Sequence, residues 1–172
     1  DPRNIVTSMC NHFSLSPDEA FKKMIDNSSS LSRKTLDGDY SNFTFLGSWS
    51  NHYKSWKNNF NFKTLFIRYE DLNKNKYEEF KKIINFIDSL TKKNHPIDKK
   101  KFENSINSTD FANLKKKEIL KGFGESLDYD KKDKTNFFNL GFKNKWQNIL
   151  TKEISTKITN QFLSEIKELE YE

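Results

Sequence analysis

Side chains whose ordinary pKa lies nearest neutrality are few: three histidines, at His12, His52 and His95, and a single cysteine, Cys10. His12 sits in a Met-Cys-Asn-His-Phe stretch of helical character, His52 lies on an aromatic helical face, and His95 precedes a proline at a turn. No His-x-x-x-His or Cys-Cys spacing occurs, so no metal is expected. A histidine on a helix face is ordinarily packed and hydrogen-bonded, so no catalytic residue is assigned. The lone thiol cannot close an internal disulfide, which fits a reducing, cytoplasmic setting.

What remains is anion binding. Lysine and arginine total 30 against 24 acids, a formal charge of +6 that favours phosphate, sulfate, nucleotide, polyanion or acidic membrane partners. Only Arg3, Arg33 and Arg68 are arginines. In a chain rich in both Lys and Asn, runs such as Lys99 to Lys101 and Lys115 to Lys117 read as solvated helix faces, and the arginine positions are more informative. Aromatics at 15% can build a core although hydrophobic residues are only 34%, which excludes disorder along the whole length. At 172 residues the chain is one domain or a piece of one. It holds no apolar run of transmembrane length and no signal-peptide pattern. Asp1-Pro2-Arg3 runs straight into structured-looking sequence, so the chain reads as beginning inside a domain.

The elements that must position these groups are mostly helical. Ser16-Pro17-Asp18-Glu19 is a helix start, followed by Ala20, Phe21, Met24 and Ile25 on one face. Asn27 to Asn42 reads as an exposed loop. Trp49, His52, Tyr53 and Trp56 recur at helical spacing, predicting a second helix to about residue 58 with an aromatic core face. Thr64 to Arg68 has the pattern of a buried strand of a parallel sheet, with Tyr69, Glu70 and Asp71 at its carboxyl end. Tyr77, Phe80, Ile83, Ile84, Ile87 and Leu90 then mark an amphipathic covering helix. Two shorter helices are predicted over 96–107 and 109–119, a charged loop over 122–135, and one terminal helix from Trp146 to Leu169.

Three stretches, taken in order, resemble the second half of a sulfotransferase that uses 3'-phosphoadenosine-5'-phosphosulfate. They are DPRNIVTS (1–8), LFIRYEDL (65–72) and FFNLGFKNKWQNILT (137–151), with GSWSNHYKSW (47–56) similar to the cytosolic branch. The resemblance implies an α/β fold: a partial P-loop-type three-layer sulfotransferase architecture, mostly helical with few parallel strands, 1–172 being the C-terminal portion of a single domain. It implies transfer of a sulfuryl group from that donor to a hydroxyl or amine of a small-molecule or glycan acceptor.

The resemblance also implies roles for particular positions. Ser8 matches a serine whose hydroxyl binds the cofactor's 3'-phosphate, and Tyr69 a tyrosine that contacts the adenine. Thr109, Phe111 and Leu114 match an element that wraps the adenine, although helix capping would explain Thr109 and Asp110 equally well. Gly141 matches a glycine whose backbone approaches the 3'-phosphate, which a Cβ would obstruct. Where the family has Arg-Lys, this chain has Asn139-Leu140, and Lys143 or Lys145 is the candidate to compensate. Of the family's dimer element only Thr151 matches, Gln147, Lys152 and Thr156 replacing its Lys, Val and Glu, so dimerisation of that kind is unsupported and the oligomeric state stays open.

The phosphate loop, its lysine and the catalytic histidine of the resembled family have no counterpart in these residues, so the chain itself is expected to be inactive. Two other readings stay open. One is a non-catalytic nucleotide or polyanion binding domain. The other is a basic nucleic-acid binder, disfavoured because the lysines alternate with acids and no nucleic-acid motif appears.

Overall fold

The structure is a computed structural model and describes residues 1–31, 43–94, 96–124 and 136–171. His95, most of the loop expected over 27–42 and most of that expected over 122–135 lie outside the described residues. The chain divides into two compact units, Asp1–Phe62 with Asn144–Glu172, and Lys63–Lys143.

In the first unit, α1 (Pro2–Phe13) begins at Asp1, whose carboxylate accepts from the Arg3 N–H, with proline in the first turn. It ends at Ser14 in the left-handed region. The second helix, α2 (Pro17–Ile25), starts with a full capping box between Ser16 and Glu19, as its sequence predicts. Ala20 and Met24 are buried, but Ile25 of the expected face is exposed. Two-residue strands β1 (Ser30–Leu31) and β2 (Thr44–Phe45) pair antiparallel, Ser30 opposite Phe45.

The aromatic helix is α3 (Trp49–Lys57), capped by Ser48. Only its first turn packs inward. Trp49 meets Phe162 edge-on at 5.1 Å and Tyr53 is half-buried, whereas His52 and Trp56 are exposed. The terminal helix is broken, not continuous. Trp146–Asn148 is a 3₁₀ turn, Thr151 caps α8 (Lys152–Gln161), and α9 (Leu163–Glu168) follows a step at Phe162. The Thr151 hydroxyl starts the helix by accepting from the Ile154 N–H, and the step turns Phe162 and Ile166 into the core. That core is Val6, Ala20, Met24, Leu150, Ile154, Ile158, Phe162 and Ile166, so both ends of the chain build it.

The second unit corrects the strand expected at Thr64 to Arg68. This stretch belongs to no strand among the described residues, and Phe66 is half exposed. A strand needs a neighbouring backbone to close its ladder, and no described strand lies beside it. The segment leads straight into α4 (Tyr69–Lys74) and α5 (Lys76–Thr91). The amphipathic helix thus forms, but its apolar face is only partly covered: Tyr77 packs edge-on against Phe102 at 4.9 Å, while Ile87 and Leu90 are about half exposed. Next come α6 (Lys99–Ser108), capped by Asp98, and α7 (Phe111–Lys121), capped by Asp110. No helix among the described residues is long and apolar enough to cross a membrane.

Candidate functional site

In the first unit a polar network joins the start of α1 to residues 144–146. The Arg3 guanidinium forms two hydrogen bonds to Asp1, 2.9 and 2.8 Å, and lies 4.4 Å from the Trp146 ring centre. Such a fork suits a carboxylate, and the ring face suits a cation, so a charge this deeply buried keeps partners on two sides. Asn4 Oδ1 accepts from the Trp146 N–H at 2.9 Å, and its carbonyl accepts from Asn144 Nδ2 at 3.0 Å.

Ser8 lies one helical turn further along α1 and is exposed. Its Oγ accepts from Asn144 Nδ2 at 2.9 Å. Beside it the Thr7 hydroxyl lies 2.7 Å from Asn144 Oδ1 and 2.8 Å from the Asn4 carbonyl, its single proton shared between these two acceptors. His12, in the last turn of α1, meets Phe13 edge-on at 4.6 Å.

In the second unit, the stretch 137–141 is fastened along one face of α7. Residues 111, 114, 115 and 118 share that face because helical neighbours recur at three and four positions. Glu118 is buried, and its carboxylate accepts from the backbone N–H groups of Phe137 and Phe138 at 2.6 and 2.9 Å. The Lys115 ammonium donates to the Asn139 carbonyl at 2.8 Å. Lys115 is thus half-buried and engaged, not part of a solvated run.

Further along the same face, the Phe111 ring lies under Gly141, whose φ is +55°. A Cβ there would stand 2.6 to 2.8 Å from three ring carbons. Glycine is therefore required first by Phe111 and by its own backbone, a nearer cause than the phosphate approach expected from sequence. Phe111 also meets Phe138 edge-on at 6.1 Å.

The structure therefore brings Phe111 and Gly141 into contact, with the half-buried Leu114 one turn on. Thr109 and Asp110 are occupied at the junction of α6 and α7. The Thr109 hydroxyl donates to the Ser105 carbonyl at 2.7 Å, ending α6, and Asp110 caps α7. The Asp110 carboxylate also pairs with Lys76, and the hydrogen bonds from Lys76 and the Ala112 N–H hold it below the usual carboxylate range. Capping accounts for both residues. Tyr69 opens α4 and is 55% exposed, with no ring contact among the described residues. Just before it, Arg68 is paired with Asp71.

Asn4, Lys115, Glu118 and Asn144 carry these arrangements, and sequence reasoning singled out none of them. Lys115 was hidden in a run of three lysines. The others are single polar residues whose partners lie up to 142 positions away, and no local spacing marks them. Among the described residues no cluster of three or more His, Cys, Asp or Glu is gathered as metal ligands would be.

The family model of the sulfotransferase domain matches residues 1–170. The chain belongs to the sulfotransferase-domain family, and its function is of the sulfotransferase kind. No solved structure matches it.

Proposed function

We propose that this chain is the C-terminal, nucleotide-binding portion of a sulfotransferase domain whose donor is 3'-phosphoadenosine-5'-phosphosulfate. The observation that carries the reading is the family match over 1–170, joined to two groups left open to a ligand: the Ser8 hydroxyl and the Tyr69 ring. Taken one by one, the residues matched by the family resemblance have side-chain chemistry suited to the adenosine bisphosphate end of the donor. Ser8 offers a hydroxyl to the 3'-phosphate, and a charged acceptor makes that hydrogen bond stronger than a neutral one. Tyr69 offers a stacking face to the adenine. Phe111 and Leu114 supply apolar contact from α7, beside Gly141. Thr109 keeps only acceptor capacity, since its proton is spent on α6.

At the positions of the family's Arg-Lys there is no cation. The Asn139 carbonyl is taken by Lys115 and Leu140 is exposed. Lys143 or Lys145, both exposed and both shortly after these positions, takes over that role in this reading.

The bound donor supplies the sulfuryl group. The acceptor is a hydroxyl or amine of a small molecule or glycan, and the single cysteine supports a cytoplasmic location. None of the groups that the family resemblance assigns to the transfer step is among these residues, so this polypeptide binds nucleotide and does not itself transfer. Titration calorimetry with adenosine 3',5'-bisphosphate tests the reading. Saturable binding is expected, weakened about tenfold in Tyr69→Ala because one base stack contributes roughly 1–3 kcal/mol. Absence of binding would overturn the nucleotide reading. Salt-dependent retardation of labelled DNA or RNA in its place would favour the nucleic-acid alternative, and sulfuryl transfer by this chain from labelled donor would refute the inactivity.

A further inference from the structure

We propose that Asn144 is a positioning residue that orients the Ser8 hydroxyl toward a 3'-phosphate. The proposal rests on the nucleotide reading above and goes beyond it, because Asn144 is not among the residues the family resemblance assigns to the nucleotide. The oxygen and nitrogen ends of the Asn144 carboxamide are told apart by their neighbours. One end lies 3.0 Å from the Asn4 carbonyl oxygen. A carbonyl can only accept, so that end is the NH2. The same NH2 lies 2.9 Å from Ser8 Oγ, so its second proton goes there, and Ser8 is an acceptor in this contact. The other end, Oδ1, receives the Thr7 hydroxyl at 2.7 Å.

A serine hydroxyl has one proton and two lone pairs. With one lone pair taken by Asn144, the proton is left for a group outside. A mid-helix serine otherwise tends to return its proton to a carbonyl one turn back. Here that carbonyl, of Asn4, already accepts from Asn144 and has a share of the single Thr7 proton. The exposed Ser8 is thereby kept as a donor directed at solvent, the state an anion requires. Buried Thr7 and the Asn4 bond to Trp146 hold the clamp itself in place.

The experiment compares affinities for adenosine 3',5'-bisphosphate and adenosine 5'-monophosphate, whose ratio isolates the 3'-phosphate. Ser8→Ala should lower the ratio about tenfold or more, as expected for one hydrogen bond to a charged group. Asn144→Ala should lower it by a similar factor and leave 5'-monophosphate affinity unchanged. The double variant should be no worse than Ser8→Ala alone, since both act through one hydroxyl.

Should Asn144→Ala fail to fold by circular dichroism, Asn144→Asp keeps the shape but turns the NH2 into an acceptor that captures the Ser8 proton. It must lower the same ratio. An unchanged ratio, or an equal loss for both nucleotides, in a folded Asn144 variant while Ser8→Ala lowers the ratio would overturn the proposal and leave the nucleotide reading standing. No binding by the unaltered chain, or a ratio insensitive to Ser8→Ala, would overturn the nucleotide reading and this proposal with it.

Discussion

Replacing Gly141 by alanine tests the contact that joins two segments of the second unit. At φ +55° an L-residue crowds its own carbonyl, which costs roughly 1–2 kcal/mol. The new Cβ would also stand 2.6 to 2.8 Å from three carbons of the Phe111 ring. Carbon atoms rest about 3.5–4.0 Å apart, so the ring must move by about 1 Å, out of its contact with Phe138. Overpacking of this kind costs about 1–3 kcal/mol, for a total near 2–5 kcal/mol.

The assay is urea denaturation followed by far-ultraviolet circular dichroism, with hydrogen exchange at the Lys143 amide, which bonds to the Leu140 carbonyl at 3.1 Å. The decisive measurement is the same substitution in a Phe111→Ala background. With the ring gone, only the backbone cost of about 1–2 kcal/mol should remain. An equal penalty in both backgrounds would refute the account, because Phe111 would not be what the methyl meets.

Two further outcomes are expected. Glu118→Gln leaves one of the Phe137 and Phe138 N–H groups facing an NH2 in place of a carboxylate oxygen. It should cost about 2–3 kcal/mol and speed hydrogen exchange at one of those two amides. Glu165 concerns pH. Burial pushes its carboxyl up, but hydrogen bonds from Lys54, its own N–H, Ser50 and Ser164 outweigh this and bring the pKa to about 2. A group depressed on folding stabilises above its unfolded pKa, and the gain is lost as pH falls through the folded value. The stability advantage of the unaltered chain over Glu165→Gln should therefore be complete above about pH 5 and shrink toward pH 2, by at most about 3 kcal/mol. A difference that stays flat over that range in urea melts would contradict it.

The helices were legible because their signals are local. Ser16 with Glu19, and Asp110, each cap within a few residues, and apolar residues at three and four positions mark a face without reference to anything else, whereas the Thr151 cap that breaks the expected terminal helix was not read. The strand pattern at Thr64 to Arg68 was equally local and did not produce a strand, since a ladder is a property of two segments. Trp56 misled in a related way. Its spacing puts it on the same face as Trp49, but the core that Trp49 reaches ends within one turn of α3.

The resemblance to the sulfotransferase family could likewise be read from the chain, and the family model matches residues 1–170. By itself the sequence determined the family, the largely helical character and the identity of Ser8, Tyr69 and Gly141 as residues to watch. Only the tertiary structure decided what surrounds them: that Asn144 takes a lone pair of Ser8, that Phe111 is what excludes a Cβ at Gly141, and that Lys115 and Glu118 hold 137–139. The physical reason is range. Capping and helical periodicity act within a few residues, whereas a hydrogen bond between residues 8 and 144 exists only once the fold has placed them 2.9 Å apart.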